Sequence, residues 1–330
     1  MAIVGSGLGS QLGISAESTY GTYVAPTKFI RAKAYMVDRV SSRQQGTGIS
    51  TGQHGPLASQ YVETTVGAAA TLDFDVQNRG LGVLLNTLMG GSVTPAIQGA
   101  GPAYLAAFPI ADTLGKSCTV QVGVPNRAGT VTAHSLSGGK ITSAEFACAV
   151  DGLLTCSMSV DGKTFSKAES LATAAYTSTA VFHGAQMTLK MGTYASEAAV
   201  SGVRAVSVSI NRPHDTGDFT AGNSGAKSVP VLNGLTEIVA TVEADYLGTT
   251  QFQDFAHGTT ATSFVWEFTG ALLNDTHYDT FRITLPSVTV EPGTQGVSGV
   301  SELTNSWTMT WRYDGTNLPK IETISADTAL

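Results

Sequence analysis

Apolar and polar side chains alternate along most of this chain. Leu72, Phe74 and Val76 alternate with Thr71, Asp73 and Asp75. Ile238, Ala240, Val242 and Ala244 alternate with Glu237, Thr241, Glu243 and Asp245, and Trp307, Met309, Trp311 and Tyr313 with Thr308, Thr310 and Arg312. A period of two puts one face of a strand in a core and the other in solvent, so these runs predict half-buried antiparallel strands. Similar runs predict strands near 29–39, 118–124, 141–150, 154–160, 203–210, 262–269 and 281–290. Helical spacing is clear over 79–89, where Leu81, Leu84, Leu85 and Leu88 share a face, and weaker over 248–256 around Phe252 and Phe255. The predicted class is mainly β.

The order of these segments repeats. A strand at 29–39 leads into a polar, glycine-rich loop at 41–60, then a strand ending LDFDV (72–76), the helix, a strand at 118–124 and a strand pair at 141–160. In the second half a strand at 203–210 leads into a similar loop at 211–234. A strand ending VEADY (242–246) follows, then the weaker helix, a strand at 262–269 and two more at 281–290 and 303–313. This order predicts an internal duplication, two copies of one mainly β unit. The predicted boundaries are an N-terminal arm at 1–28, unit 1 at 29–162, a connecting or insert segment at 163–202, unit 2 at 203–315 and a C-terminal arm at 316–330. The period is far longer than that of a solenoid. The competing view is that any β-rich chain can be cut into similar halves.

Composition narrows the class. Of 330 residues only 13% are charged, about half of the ~25% usual in soluble domains, which predicts a surface largely covered by other chains. With 42% hydrophobic residues the chain can bury a core, so disorder is not expected despite 37 glycines. The net charge of −7 argues against a protein that grips nucleic acid by neutralising phosphates. That charge is uneven: residues 1–165 carry 10 basic and 9 acidic side chains, residues 166–330 carry 8 and 16. No segment reads as a signal peptide or a membrane-spanning helix. The three cysteines form no CxxC and leave an odd one, which argues against a disulfide scaffold and for synthesis in a reducing cytoplasm.

Catalytic chemistry finds no signature. Gly5, Gly7 and Gly9 do not complete GxGxxG, because Ser10 takes the third position, and there is no GxxxxGK[ST], HExxH or GxSxG. Asp275, His277 and Asp279 would share one face of a strand and could hold a divalent ion, with a polar turn as the alternative. His214 and Asp215 with Asp218 stand in a similar position. In the predicted 141–160 hairpin a three-residue loop, Asp151-Gly152-Leu153, with Gly152 at positive φ, would set Cys148 opposite Cys156. Two buried free thiols are preferred there over a bridge. No cofactor is expected.

The opening GSGLGSQLGISAESTYGTYVAPTKFI (5–30) resembles the start of the major tail tube proteins of long, non-contractile bacteriophage tails. GKSCTVQVGVPNRAGTV (115–131), KITSAEFACAVDGLLTCSMSVDG (140–162), VEADYLGTTQFQDFAHGTTATSFVWEFTG (242–270) and the ending DGTN…ADTAL (314–330) are similar to the same family. The resemblance spans nearly the whole chain, least at 163–200. It implies that each duplicated unit is a tail-tube β-barrel or sandwich flanked by a short α-helix, with extended N- and C-terminal arms. It also implies a non-enzymatic virion protein, made in the host bacterial cytoplasm, whose rings stack into a hollow tube for genome delivery. The tape measure protein and viral DNA would pass through the lumen, with tail terminator and distal tail proteins at the ends and no membrane insertion.

Within that picture Asp73, Asp75, Glu145, Glu243 and Asp245 are candidates for the lumen, where anionic walls suit a polyanion that carries a charge every ~1.7 Å. Lys28, Arg31, Lys33, Arg39 and Arg43 are candidates for contacts with acidic partners in an adjacent subunit. Gln44, Gln45, His54, His214, Asp215 and Asp218 lie in the loops expected to link rings. If each half is one tube unit, three chains would form a pseudo-hexameric ring; a true hexamer is the alternative. Rival functions are a distal tail or hub protein on the same fold, and a β-sandwich adhesive or carbohydrate-binding module.

Overall fold

In the computed structural model, which describes residues 6–245, 262–274, 276–291 and 304–330, the alternating runs become strands. The first half runs β1 (Gln11–Ala16), β2 (Lys28–Ile30), β3 (Ala32–Gln45), β4 (Tyr61–Asp75), helix α1 (Gly82–Met89), β5 (Ala96–Ile97), β6 (Tyr104–Pro109), β7 (Cys118–Pro125), β8 (Val131–Ala149), β9 (Thr155–Gly162) and β10 (Thr164–Ser166). The second runs β11 (Met187–Thr193), β12 (Ser196–Ala199), β13 (Val203–Asn211), β14 (Glu237–Asp245), β15 (Thr262–Leu272), β16 (Tyr278–Val290), β17 (Thr304–Trp311) and β18 (Lys320–Ser325). The chain is mainly β, as its alternation predicts. Helix α1 buries Leu84, Leu85 and Leu88 and ends at Gly90, whose φ of 89° suits a left-handed cap. A side chain at Gly90 would also strike the Asp112 carbonyl, 2.5 Å from its Cβ position. The weaker helix predicted at 248–256 lies outside the described residues.

One continuous antiparallel ladder crosses both halves in the order β3-β4-β9-β8-β13-β14-β17-β16. Strand β8 is 19 residues long because it serves two sheets. Its C-terminal part sits in this ladder, and its N-terminal part lies between β7 and β10 in a second one ordered β2-β1-β7-β8-β10. Strand β16 does the same, joining β17 at residues 288–290 after running between β15 and β18. Beyond these, β11 and β12 extend one side of the second-half sheet, and β6 and β5 the other. The layers meet face to face where the Phe146 ring lies 5.5 Å from that of Phe281, and Phe182 bridges Phe281 and Phe268.

The pairing scheme recurs between the halves. The order β3-β4-β9-β8 corresponds to β13-β14-β17-β16, and β2-β1-β7-β8-β10 corresponds to β12-β11-β15-β16-β18. Irregularities fall at matching places. A bulge between Ala32 and Ala34 matches one between Val203 and Ala205, and a register shift at Cys118/Val120 matches one at Thr262/Phe264. A bulge adds an unpaired residue and a local twist, so its recurrence fixes the correspondence to the residue.

Several expected boundaries differ. Both ends, read as arms, carry body strands: β1 pairs with β7 and β2 and buries Leu12 and Ile14, while β18 pairs with β16 and β6 and buries Ile321. These strands are too short, or too rich in glycine and charge, to display a long alternation. The segment 163–202 holds β10, β11 and β12. The loop expected at 41–60 begins only after Gln45, because β3 and β4 continue as a two-stranded ribbon exposed on both faces, which no single apolar side reveals. The 141–160 hairpin is also in another register. Cys156 lies opposite Phe146, Gly152 is not at positive φ, and its N–H donates to the Ala149 carbonyl at 3.0 Å in a longer turn. The last paired residues before the turn are Ala147 and Thr155, so the connection is longer than the three residues expected, and all three cysteines are free and buried.

Candidate functional site

The long ladder has one face in the core and one facing out. Inward go Leu72 and Phe74 of β4, Met158 of β9, Phe146 of β8, Val208 of β13 and Val242 of β14. Strand alternation therefore sends Asp73, Asp75, Glu145 and Glu243 outward. Cross-strand register aligns the outward side chains in rows. Asp73 is opposite Ser157, Ser157 opposite Glu145, Glu145 opposite Ser209, and the row continues through Val239 to Thr310. The next runs Asp75, Thr155, Ala147, Ser207, Thr241, Thr308, and the third Ala149, Ala205, Glu243, Ser306. Apart from Val239, these rows hold small hydroxyl and methyl side chains with carboxylates, and neither lysine nor arginine.

The five candidate carboxylates differ in their surroundings. Glu145 and Glu243 are exposed. Asp73 accepts a hydrogen bond from Ser157 at 2.5 Å, and about two strand spacings, roughly 10 Å, separate it from Glu145. Asp75 forms an ion pair with Lys33 at 2.5 Å, and Asp245 pairs with Arg204. Where Ala147, Ala149 and Ala205 meet Ser207 and Thr241, the small side chains leave a concavity of about 520 Å³ beside Glu243.

Four of the five candidate cations, Arg31, Lys33, Arg39 and Arg43, find partners within the chain. Arg31 donates to the Thr177 carbonyl at 2.9 Å and Thr179 Oγ1 at 3.1 Å, and lies over the Tyr176 ring. Arg39 and Arg43 share Glu63, at 2.6 and 3.9 Å, across the β3–β4 ribbon. Lys28 is half-buried on β2.

The loop candidates separate. Gln44 and Gln45 are strand residues opposite Val62 and Tyr61, and His54 is exposed near the ribbon's tip. His214 is not an exposed contact but a buried anchor: Nε2 lies 2.8 Å from Thr113 Oγ1 and Nδ1 3.0 Å from the Arg212 carbonyl. Burial, helped by the nearby Lys140 cation, pulls its pKa down to about 4. Two buried cations grip the same strand connection, Lys140 through the Thr113 carbonyl and Arg212 through the Ala111 carbonyl. Asp215 donates its N–H to the Val231 carbonyl at 2.8 Å and accepts from Gly217 N–H, while the half-buried Asp218 accepts at its carbonyl from Ser228 N–H at 3.0 Å. The second glycine-rich loop thus folds onto the body, where Lys227 closes an ion pair with Asp161.

The metal candidates are not assembled. Asp279 is buried and accepts from Asn78 at 2.8 Å, His277 bonds to Asn274, and Asp275 lies outside the described residues. Among the described residues no group of three or more His, Cys, Asp or Glu could hold a metal ion.

Pattern reading missed Glu17. Its buried carboxylate accepts four hydrogen bonds: from Ser117 Oγ, Thr119 Oγ1 and Gly138 N–H, each at 2.8 Å, and from Gly21 N–H at 3.0 Å. It stitches the chain after β1 to β7 and β8, and the available signal was its place in ESTYGT. Lys140 and Arg212 carried none, since one is a lone cation within β8 and the other a lone cation just past the end of β13.

The sequence matches the family model for phage tail tube protein over residues 7–310, and the chain belongs to that family. It is therefore a structural component of the virion tail. No curated protein matches it.

Proposed function

We propose that this chain is the major tail tube subunit of a long, non-contractile tail, and that each half is one tube unit. The observation that carries the reading is the recurrence of the strand order β3-β4-β9-β8 as β13-β14-β17-β16 within one ladder. Among the described residues the eight-strand ladder ends at β3 on one side and at residues 288–290 of β16 on the other, and closure into a ring removes edges that would otherwise recruit chains without limit. Three chains then supply six units in a pseudo-hexameric ring, and rings stack into the tube. The Ser/Thr face with Asp73, Glu145 and Glu243 lines the lumen, where DNA and the tape measure protein meet carboxylates and two cations, Lys33 and Arg204, that are already paired with Asp75 and Asp245. Tail terminator and distal tail proteins cap the ends. The sparse charge follows from surface reserved for contacts between chains.

Electron microscopy of the concentrated, purified protein tests this. Long hollow tubes with three-fold cross-sections are expected. Single closed rings would assign the chain to the hub of the tail instead, and six identical lobes would replace the trimer with a hexamer.

A further inference from the structure

Asp151, Asp161, Asn233 and Asp314 are each followed by a glycine. At such pairs a backbone can react with its own side chain. Glycine has no Cβ to shield its nitrogen or to restrict its dihedrals, so that nitrogen can reach the side-chain carbonyl carbon of the residue before it. The reaction needs a free nitrogen, a free side chain and a backbone loose enough to bring them together. A folded structure can withhold any of the three.

At three of the four pairs it does. The Gly152 N–H donates to the Ala149 carbonyl at 3.0 Å, which ties up the nitrogen after Asp151. Asp161 closes its ion pair with Lys227, and Gly162 is held in β9 opposite Ala68. The Asp314 carboxylate accepts from Thr316 N–H at 2.8 Å, Asn317 N–H at 2.7 Å and Asn317 Nδ2 at 2.9 Å. Asn233 is different. Its own N–H donates to the Pro213 carbonyl at 2.9 Å, which fixes the chain just before the pair. Beyond that bond, neither the Asn233 side chain nor the Gly234 N–H has a hydrogen-bond partner among the described residues, and both residues are exposed. Leu235 follows at 95% exposure. The chain is anchored again only at Thr236, whose hydroxyl accepts from Arg212 at 3.0 Å.

We infer that Asn233 is a self-modifying site, where the folded chain converts its own asparagine into aspartate and isoaspartate. The Gly234 nitrogen gives its proton to hydroxide and attacks the Asn233 side-chain carbonyl carbon. As that C–N bond forms, the Cγ–Nδ2 bond breaks, and the departing nitrogen takes a proton from water and leaves as ammonia. Water then opens the five-membered succinimide at either carbonyl. One opening gives aspartate, and the other gives isoaspartate, whose backbone is longer by a methylene. Either product sets a new negative charge beside Gly234, on the rim of a cavity of about 810 Å³ where Glu237 already stands. The isoaspartate also lengthens the span between the Pro213 and Thr236 anchors. The chemistry needs only the folded subunit, so it is independent of the tube reading above.

The full-length, unassembled protein carrying Asp151→Asn tests this, because it then has the same dipeptide at 151–152 and 233–234. Held folded at mildly alkaline pH, it should gain the mass of an amide-to-acid conversion. Peptide mapping should place that change at Asn233 about fivefold or more faster than at position 151, where the Gly152 hydrogen bond must first break. Isoaspartate methyltransferase should label the same Asn233 peptide. In urea the two sites should react at similar rates, since the fold no longer holds either nitrogen. Adding Asn233→Gln should remove most of the conversion from the folded protein. A folded-state rate at Asn233 no faster than at position 151, or no conversion at Asn233 while the urea sample reacts at both, would overturn the assignment.

Discussion

Lys33 and Arg204 occupy the same position in the two halves of the molecule. Each is the extra residue of a bulge, between Ala32 and Ala34 in one hairpin and between Val203 and Ala205 in the other. Each reaches the last carboxylate of the neighbouring strand, Asp75 or Asp245. The bulge re-aims a cation off the pleat, and the carboxylate holds it along the outer face of the sheet. Strand order, bulge position and ion pair agree, so the relationship does not depend on any one of them.

The bulge contributes more to the fold than the ion pair does. Lys33 and Arg204 have side chains 53% and 39% exposed, and exposed pairs are worth about 0.2–1 kcal/mol. Lys33→Met and Arg204→Met should each shift the urea midpoint of the unassembled subunit only slightly. Deleting Lys33 instead removes the extra residue and turns the residues on one side of it to the wrong face of the sheet. That variant should be insoluble or lose most of its cooperative transition, and a wild-type-like midpoint would show that the bulge does not set the register.

Glu17 is the buried knot of the first half. Four donors point at one carboxylate, and hydrogen bonds to charged groups are worth about 1.5–3 kcal/mol each before the desolvation of the acid is counted. Glu17→Gln keeps the shape but turns an amide toward donors, so a loss of roughly 2–4 kcal/mol is expected. Glu197 has a related place in the second half, accepting from Ser263 Oγ at 2.7 Å and Ala195 N–H at 3.0 Å, and it is only half-buried. Glu197→Gln should cost about 1 kcal/mol or less. Denaturant titrations of both variants check the order, and equal losses would contradict it.

The amphipathic runs and helix α1 were legible because a single exposed face imposes a period on the sequence. The ladder's outward carboxylates were legible for the same reason: Asp73 and Glu243 sit out of phase with buried neighbours. The β3–β4 ribbon past Val40 was not, since both of its faces are exposed and neither selects apolar residues. Nor were β1 and β18 as body strands, because Gly13 and Glu322 interrupt their alternation. The register of Cys148 and Cys156 is set by the turn between Ala147 and Thr155, which is longer than three residues, and the grip on the 111–113 segment joins Arg212 and His214 to residues about 100 positions away, with Lys140 closer in sequence. Long-range polar contacts leave no local period.

Acid should loosen the junction at Thr113. Burial lowers the His214 pKa from 6.5 to about 4. Above pH 6.5 the imidazole is neutral folded or unfolded, and contributes no pH dependence. Between pH 6.5 and 4 the unfolded chain binds a proton that the folded chain refuses, so stability falls as the pH drops through this window and the loss levels off below it. Lys140 behaves alike at the other end, because burial lowers its pKa from 10.5 to about 8 and stability therefore falls as pH drops from 10.5 toward 8. Subtracting the pH–stability curve of His214→Gln from that of the wild type isolates the acid component. A flat difference between pH 6.5 and 4 would show that the imidazole titrates freely.

The charge on the outward face decides whether DNA can move past it. A duplex releases counterions when it meets fixed cations, so an added lysine row should bind it and lose that binding as salt rises. Glu145 and Glu243 are exposed and outside the core, so Glu145→Lys with Glu243→Lys should change stability by no more than about 0.5 kcal/mol each. If this face lines the lumen, tubes of the double variant should retain short duplex DNA near 50 mM salt and release it by about 200 mM. Wild-type tubes should retain none. Nuclease digestion locates the bound duplex, because DNA held inside a closed wall is protected and DNA held on the outer surface is not. Retained DNA that stays fully nuclease-sensitive would move Glu145 and Glu243 from the channel to the outside of the tube.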